Sequence, residues 1–573
     1  MPSVAAPPSS SQGGILCRVR PWQWATALCG LVFLLGLGAY PLLDPDEGRY
    51  GEIPREMLQT GDWVIPTLNY VPYLEKPPLL YWISAAFMGA LGEAEWVVRL
   101  VPALLGLWGL AVAWWLARLT VGAEAARWAP GVLGTMALYF AIARVPLTDM
   151  LVSVTLAASL TAWWSAELKT GAPRWRMLAV AGVLLGLAVL SKGLVAIILF
   201  GAVTVITLAW SKRLGAFLGA VALPVLISLA VNVPWWLAAQ ARFAGFAHFY
   251  FIVQHLNRFL GHDFNEHRRP PGYFVAMAIV GCGFWSVFWP QMLSGSRRAW
   301  RALEPSKRSA VVFLSAWALV VIGFFSLSSS QLATYTLPAW WPLAVCTAAC
   351  VHGMMGDSPV RRSARWSLGL TAGVLLLVVA AALVLPGGRP EFPGPAIRMA
   401  QAVLGVSGVL AAAAFLLAHR LRDAEARMAL LVCAAALFLV SLLPATAAIG
   451  HQRDMGALVP PQLRPFPAGS GWAIAQYKCY EQSLNYYTHS RIVLVAYDSE
   501  LSMGPDQPDA AQWFPKDDGA IARLSARGPL ALVTWPKFVP DFCRRYGLTV
   551  WGEGYKRTML INKAGMEWLR QHP

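Results

Sequence analysis

Charge is what this chain has least of. Asp, Glu, Lys and Arg make up 13% of its 573 residues, about half the ~25% usual in soluble domains, which excludes an ordinary water-soluble globule. Acids are the scarcer sign: 30 Asp and Glu stand against 46 Lys and Arg, a net charge of +16. So basic a balance can signal nucleic-acid binding, but a membrane protein gathers the same excess in its cytoplasmic loops. The distribution described below follows the second account, so no nucleic-acid partner is expected. Cysteine is sparse too. Eight residues are scattered without a CxxC pair or zinc-ribbon spacing, which excludes a zinc module of that kind. Cys346 and Cys350, four apart, read as packing residues. No internal repeat is visible.

Long apolar runs are what the chain has instead. Runs near the ~20 residues needed to cross a bilayer recur from Trp22 to Gly450. They predict a polytopic α-helical membrane protein with about 13 transmembrane helices, among them Trp22–Leu42, Trp128–Ala143, Leu147–Glu167, Gly193–Trp210, Leu214–Trp236 and Gln331–Val351. The first run is too long for a signal-peptide core and is read as a retained span. Pro77–Leu91, opened by two prolines, is expected to lie at the interface or re-enter rather than cross. Alternate connections carry Arg18/Arg20, Arg118/Arg127, Lys212/Arg213 and Arg361/Arg362/Arg365, while those between them carry little beyond Arg144, Lys192 and Arg389. By the positive-inside rule the N-terminus is cytoplasmic. The loops 43–95 and 237–271 and everything after Gly450 then lie outside. The chain divides into a transmembrane domain, 1–450, and an external domain, 451–573. In the tail the apolar runs stop, and Ile492–Ala496, Leu530–Thr534 and Met559–Asn562 read as strands between the helical stretches Glu481–Thr488 and Val539–Tyr546, a small α/β domain. It holds Cys479 and Cys543, which an oxidising compartment permits to pair.

The densest charge sits in the first outer loop. LLDPDEGRYGEIPREMLQTGDWVIPTLNYVPYLEKPPLLYW, Leu42–Trp82, begins its acids at the membrane exit and interleaves aromatics with prolines. A solvated loop is the bland account. Against it, Arg49, Lys76, Arg144 and Lys192 all gather on the side where topology does not call for cations. Asp44-Pro45-Asp46 has the form of a DxD, but nucleotide sugars are cytoplasmic and this loop is outside. A donor available there would ride on a lipid phosphate, and it would need an apolar cavity, cations for the phosphate and carboxylates near the sugar.

PDEGRYGEIPREMLQTGDWVIPTLN, YLEKPPLLYW, LTDM at Leu147–Met150, QHLNRF, HRRPPGYF and LATYTLPAWWPLA together resemble the aminoarabinose transferases that modify lipid A. These belong to the GT-C type, the C-type fold of lipid-phosphate-sugar glycosyltransferases. The resemblance implies a bacterial inner-membrane, multi-pass enzyme with periplasmic interfacial helices and a periplasmic tail. It implies transfer of 4-amino-4-deoxy-L-arabinose from undecaprenyl phosphate to lipid A phosphates, which lowers surface negative charge and gives resistance to polymyxin and cationic peptides. The donor lipid, lipid A and the bilayer are the expected partners, and a monomer is expected. Motif by motif, it places Asp46, Glu47 and Asp149 in the catalytic set. Lys76, Arg49, Arg258, Arg268 and Tyr335 fall on the donor phosphate, and Tyr81, Glu75 and His255 on the substrate. No cofactor is required; a divalent metal such as zinc on Glu75 and His255 is a further expectation. One departure stands out, because Gln331 occupies a position where lysine is expected in many relatives.

A lipid A phosphate is ionised near pH 7 and needs no strong base, so positioning and charge stabilisation are the expected work. Two rivals are kept. A protein O-mannosyltransferase-like enzyme would need a carboxylate as a true base for a Ser or Thr hydroxyl. A lipid transporter or flippase would place paired charges within spans and show repeats.

Overall fold

The structure, a computed structural model, describes residues 20–257, 269–356, 362–384, 394–467, 469–497, 501, 503 and 508–573. Among these, eight helices are long and apolar enough to cross a membrane: Glu95–Thr120, Gly171–Lys192, Leu218–Arg242, Tyr273–Ser294, Pro305–Ser326, Arg362–Val384, Ile397–Arg420 and Ala424–Leu458. The chain is an integral membrane protein. Thr148–Glu167 is buried along nearly its whole length, as a helix apolar on all sides should be, and it packs between Glu95–Thr120 and Gly171–Lys192. Val195–Trp210 and Trp340–Gly356 are shorter. The run at 128–143 breaks into Ala129–Gly134 and Ala137–Ile142, and the late run opens as a tight turn of helix, Ala333–Ala339, around Pro338.

The first run is helical only over Pro21–Leu34, because GLGAYP cannot continue a helix. Its freed carbonyls lie among apolar side chains, where an orphaned oxygen costs several kcal/mol, on the order of a lost hydrogen bond or more. Two arginines take them up. Arg144 donates to the carbonyls of Val32, Phe33 and Leu35 at 2.9, 3.0 and 2.6 Å. Arg99 donates to those of Leu37, Tyr40 and Pro41 at 2.7–2.8 Å. Arg144, a cation that the expected topology does not call for, is thereby explained by backbone accounting.

The charged loop is folded, not solvated. It forms the helix Asp46–Thr60, a hairpin of β1 (Thr67–Leu68) and β2 (Val71–Pro72), and the helix Leu79–Leu91, entered through Pro77-Pro78. Glu47, Glu52, Arg55 and Glu56 are all buried. Arg55 grips both Glu52 oxygens at 2.6 and 2.7 Å. Glu56 accepts the Thr67 hydroxyl at 2.6 Å and the Tyr70 amide at 3.0 Å. Burial and the neighbouring Glu52 push its carboxyl well up from the ordinary range. The helix at 218–242 runs past Trp236, where the sequence predicted a loop, and Arg242 at its end meets Asp62 at 2.7 Å.

The tail is a five-stranded mixed sheet in the order β4-β3-β5-β7-β6: β3 (Ala473–Tyr477), β4 (Val493–Val495), β5 (Leu530–Thr534), β6 (Thr549–Glu553) and β7 (Thr558–Ile561). Strand β3 runs parallel to β4 and β5, while β5–β7 and β6–β7 are antiparallel. Side chains alternate between its faces. Ala475, Tyr477, Leu530 and Leu532 form one core with Phe542 and Leu548, whereas Ile474, Ala531, Val533 and Ile561 join the core of the membrane body. The Cys479–Cys543 pairing that an oxidising compartment would permit is not formed; both thiols are free. Cys543 packs in the layer with Tyr477 and Phe542, while the Cys479 thiol donates to the Val533 carbonyl.

Candidate active site

The short helix Ser483–Thr488 joins the tail to the charged loop. Its Ser483 amide donates to Asp44 at 2.8 Å, and the Ser483 hydroxyl donates to the same carboxylate. Tyr486 reaches the Glu93 carbonyl at 2.8 Å. The Tyr487 hydroxyl accepts the Leu42 amide at 2.9 Å. Asn485 donates to Asn69 at 2.8 Å. Gly48 and Gly51, one turn apart on Asp46–Thr60, permit this approach. A Cβ on Gly48 would overlap the Ser483 amide, and one on Gly51 would lie 2.9 Å from Leu42 and 3.2 Å from the Tyr486 ring. The tail therefore clamps the helix that begins with Asp46.

Asp46 opens that helix with its side chain half exposed and Arg49 at 3.6 Å. Arg49 lies over the Tyr73 ring at 5.9 Å. Glu47, adjacent in sequence, points elsewhere. It is buried, takes two bonds from Arg99 at 2.6 and 2.9 Å, and accepts the Leu43 amide. Three hydrogen bonds thus tie Glu47 to Arg99 and to the turn before the helix, on the side away from the open Asp46 carboxylate. Asp149, at the start of Thr148–Glu167, is paired with Lys192 at 2.6 Å. Lys192 Nζ also sits 4.4 Å from the Tyr335 ring centroid, a cation–π contact.

Lys192, Tyr335, Glu75, Lys76 and His255 line one cavity of about 370 Å³, whose remaining wall is largely apolar: Leu194, Val195, Ile198, Phe251, Phe324 and Phe325. Lys76 lies 4.0 Å from the Glu75 carboxylate. Two lysines in a lining that is otherwise mostly apolar suit a phosphate on an apolar chain. Lys192 was visible in the sequence only as a cation on the wrong side; in the structure it is the second lysine in the lining of this cavity. Gln331 itself is buried and donates to the Ser328 carbonyl at 3.0 Å.

The other expected residues divide. Tyr81 is fully buried behind Tyr50, ring centroids 5.9 Å apart, and so is not a cavity wall. Tyr50, not singled out from the sequence, is hydrogen bonded to Thr148 beside Asp149, and burial pushes its phenol up. Arg258 and Arg268 lie outside the described residues. The His255 ring accepts the Leu194 amide on Nε2 at 3.1 Å, and its Nδ1 faces the Tyr250 carbonyl at 2.5 Å. Gly193, at φ +91°, leaves room for that ring. With both nitrogens engaged, His255 does not fit a metal with Glu75 in this arrangement. Among the described residues no cluster of three His, Cys, Asp or Glu side chains is poised for one.

Residues 38–250 match the family model described as dolichyl-phosphate-mannose-protein mannosyltransferase. The chain is 30% identical over 526 residues to the undecaprenyl phosphate-α-4-amino-4-deoxy-L-arabinose arabinosyl transferase of Pectobacterium atrosepticum, covering 88% of this chain and 91% of that one. The enzyme of that name from Pseudomonas aeruginosa strain UCBPP-PA14 is 32% identical over 387 residues, 66% of this chain and 68% of its own. The crystal structure of ArnT from Cupriavidus metallidurans bound to undecaprenyl phosphate superposes with a TM-score of 0.84 at 25% identity, over 95% of this chain and 98% of that one. Fold and cavity together define an integral-membrane glycosyltransferase whose sugar donor is carried on a lipid phosphate. Within that class the chain belongs to the undecaprenyl phosphate-α-4-amino-4-deoxy-L-arabinose arabinosyl transferases.

Proposed function

We propose that the protein transfers 4-amino-4-deoxy-L-arabinose from undecaprenyl phosphate to phosphate groups of lipid A at the outer face of the bacterial inner membrane. On this reading the N-terminus is cytoplasmic, the chain crosses about 13 times, and the charged loop and the tail are periplasmic. The donor follows from family membership. The observation that carries the chemistry is one cavity lined by both Lys76 and Lys192 and otherwise by mostly apolar side chains.

In the reaction, an ionised acceptor phosphate oxygen attacks the anomeric carbon. The bond from that carbon to the donor phosphate breaks, and its electron pair leaves on undecaprenyl phosphate. Lys76 and Lys192 stabilise the charge growing on the leaving phosphate, and Tyr335 holds the Lys192 ammonium in place. Asp149, already bonded to Lys192, fixes its position. Asp46, half exposed at the helix start, faces the cationic amino sugar or the acceptor. Arg49 and Glu75 surround the same ground, with Arg258 and Arg268 proposed to approach the phosphate from their own segment. Mass spectrometry of lipid A from cells with and without the gene tests the reading: the aminoarabinose adduct should depend on the gene. Lipid A unchanged while a Ser- or Thr-containing peptide gains the sugar would support the mannosyltransferase-like reading instead.

A further inference from the structure

A second cavity, about 460 Å³, lies where the membrane body meets the tail. Its walls come from the start of the charged loop, from the end of the last long helical stretch, and from the ends of the tail sheet and the connections beside them. It is not part of the lysine cavity, with which it shares no lining residue.

Its chemistry is cationic and aromatic. The Arg557 guanidinium lies 3.6 Å from the Trp535 ring centroid and is ion-paired with Glu481. Arg453 and Lys556 flank Tyr555 at 5.1 and 5.0 Å. Lys478 adds a fourth cation to the lining. Of the acids, Glu481 is answered by Arg557, Asp454 caps a short helix by accepting the Ala457 amide, and Asp44 accepts Ser483. Burial, and then the Glu481 carboxylate, push the Asp44 carboxyl up to about 7. The balance left to a ligand is positive.

Three polar atoms in this lining are buried without a hydrogen-bond partner among the described residues: Gln452 Oε1, the Tyr480 hydroxyl and Arg557 Nε. The first accepts only, the second does both, and the third donates only. All three are closed off from the cavity, so what it offers a ligand is the cations Arg453, Lys478 and Lys556 and the rings of Trp535 and Tyr555.

We infer that this cavity binds a phosphorylated sugar and, resting on the proposed function, that it holds the acceptor headgroup beside the reaction centre. Asp44 in its wall is two residues from Asp46, so their Cα atoms are within ~7.6 Å along the chain. The cavity therefore adjoins the start of the helix that carries Asp46.

The test uses the full chain in nanodiscs of uncharged phosphatidylcholine, titrated calorimetrically with glucosamine 1-phosphate. Wild type should bind, and the double variant Arg453→Gln/Lys556→Gln, which alters two exposed side chains, should bind about tenfold or more weakly. Equal affinity in the two proteins overturns the inference, as does equal binding of unphosphorylated glucosamine by wild type. Adding a phosphorylated glycolipid to the nanodiscs separates the sources. Displacement of the probe supports a glycolipid headgroup, and a probe left in place overturns the acceptor assignment in favour of a soluble sugar phosphate. Lys76→Ala should bind the probe normally. If wild type binds the probe yet releases no sugar from the undecaprenyl carrier, the proposed function falls and the sugar-phosphate site stands.

Discussion

Lys192 and Glu47 show how the fold, rather than spacing along the chain, decides what a side chain meets. Both lie in stretches a sequence reader marks: an outer-face lysine, and the second letter of an Asp-Glu pair. Helix geometry then turns neighbours apart, since adjacent helical residues do not face one another. Asp46 stays open while Glu47 is consumed by Arg99. The ammonium of Lys192 meets Asp149 and Tyr335 across long sequence separations. No spacing rule announces such a contact. Lys192→Ala should lower the rate of transfer about a hundredfold, the scale seen when one stabilising charge is removed from a reaction centre. Lys192→Arg should restore only part, because a planar fork does not replace a compact ammonium. Steady-state rates at saturating donor, on protein of matched expression, measure this. A Lys192→Ala rate within twofold of wild type would remove Lys192 from the site.

The element that the sequence concealed is the seam between Asp46–Thr60 and Ser483–Thr488. The apolar runs of the membrane body were legible because crossing a bilayer imposes length and composition on each helix separately. The tail's β5 and β7 were legible as apolar runs, but β6, an exposed edge, carries no such pattern. The seam depends on two glycines and a serine separated by more than four hundred residues, so nothing local marks it. Gly48→Val should push the tail helix off the loop, as overpacking does at a cost of about 1–3 kcal/mol. Limited proteolysis should then cut the tail sooner than in wild type while the membrane body stays intact; an unchanged cleavage pattern would contradict the seam. The same seam should respond to pH. Asp44 is raised from its ordinary 3.8 to about 7, so the folded state binds a proton that the unfolded chain has lost. This contribution is fully present below about pH 3.8 and lost as pH rises through about 7. Melting of the full chain should therefore fall more between pH 5 and pH 8 in wild type than in Asp44→Asn. Parallel pH dependence in the two would show that Asp44 does not carry it.

At the scale of the whole molecule, the membrane body and tail share one core through the inner face of the sheet. Two arginines take up the carbonyls freed after the first helix, and a mostly apolar cavity is lined by Lys76 and Lys192. The central claim is that this cavity is where undecaprenyl phosphate is held while its sugar leaves. The most direct measurement is single-turnover sugar transfer by the purified full chain from undecaprenyl phosphate-aminoarabinose to lipid A. Wild type, Lys76→Ala and Asp46→Asn are compared at equal protein and with equal melting temperatures. The account predicts transfer by wild type and a loss of about a hundredfold or more in each variant; variants that keep most of the wild-type rate would contradict it.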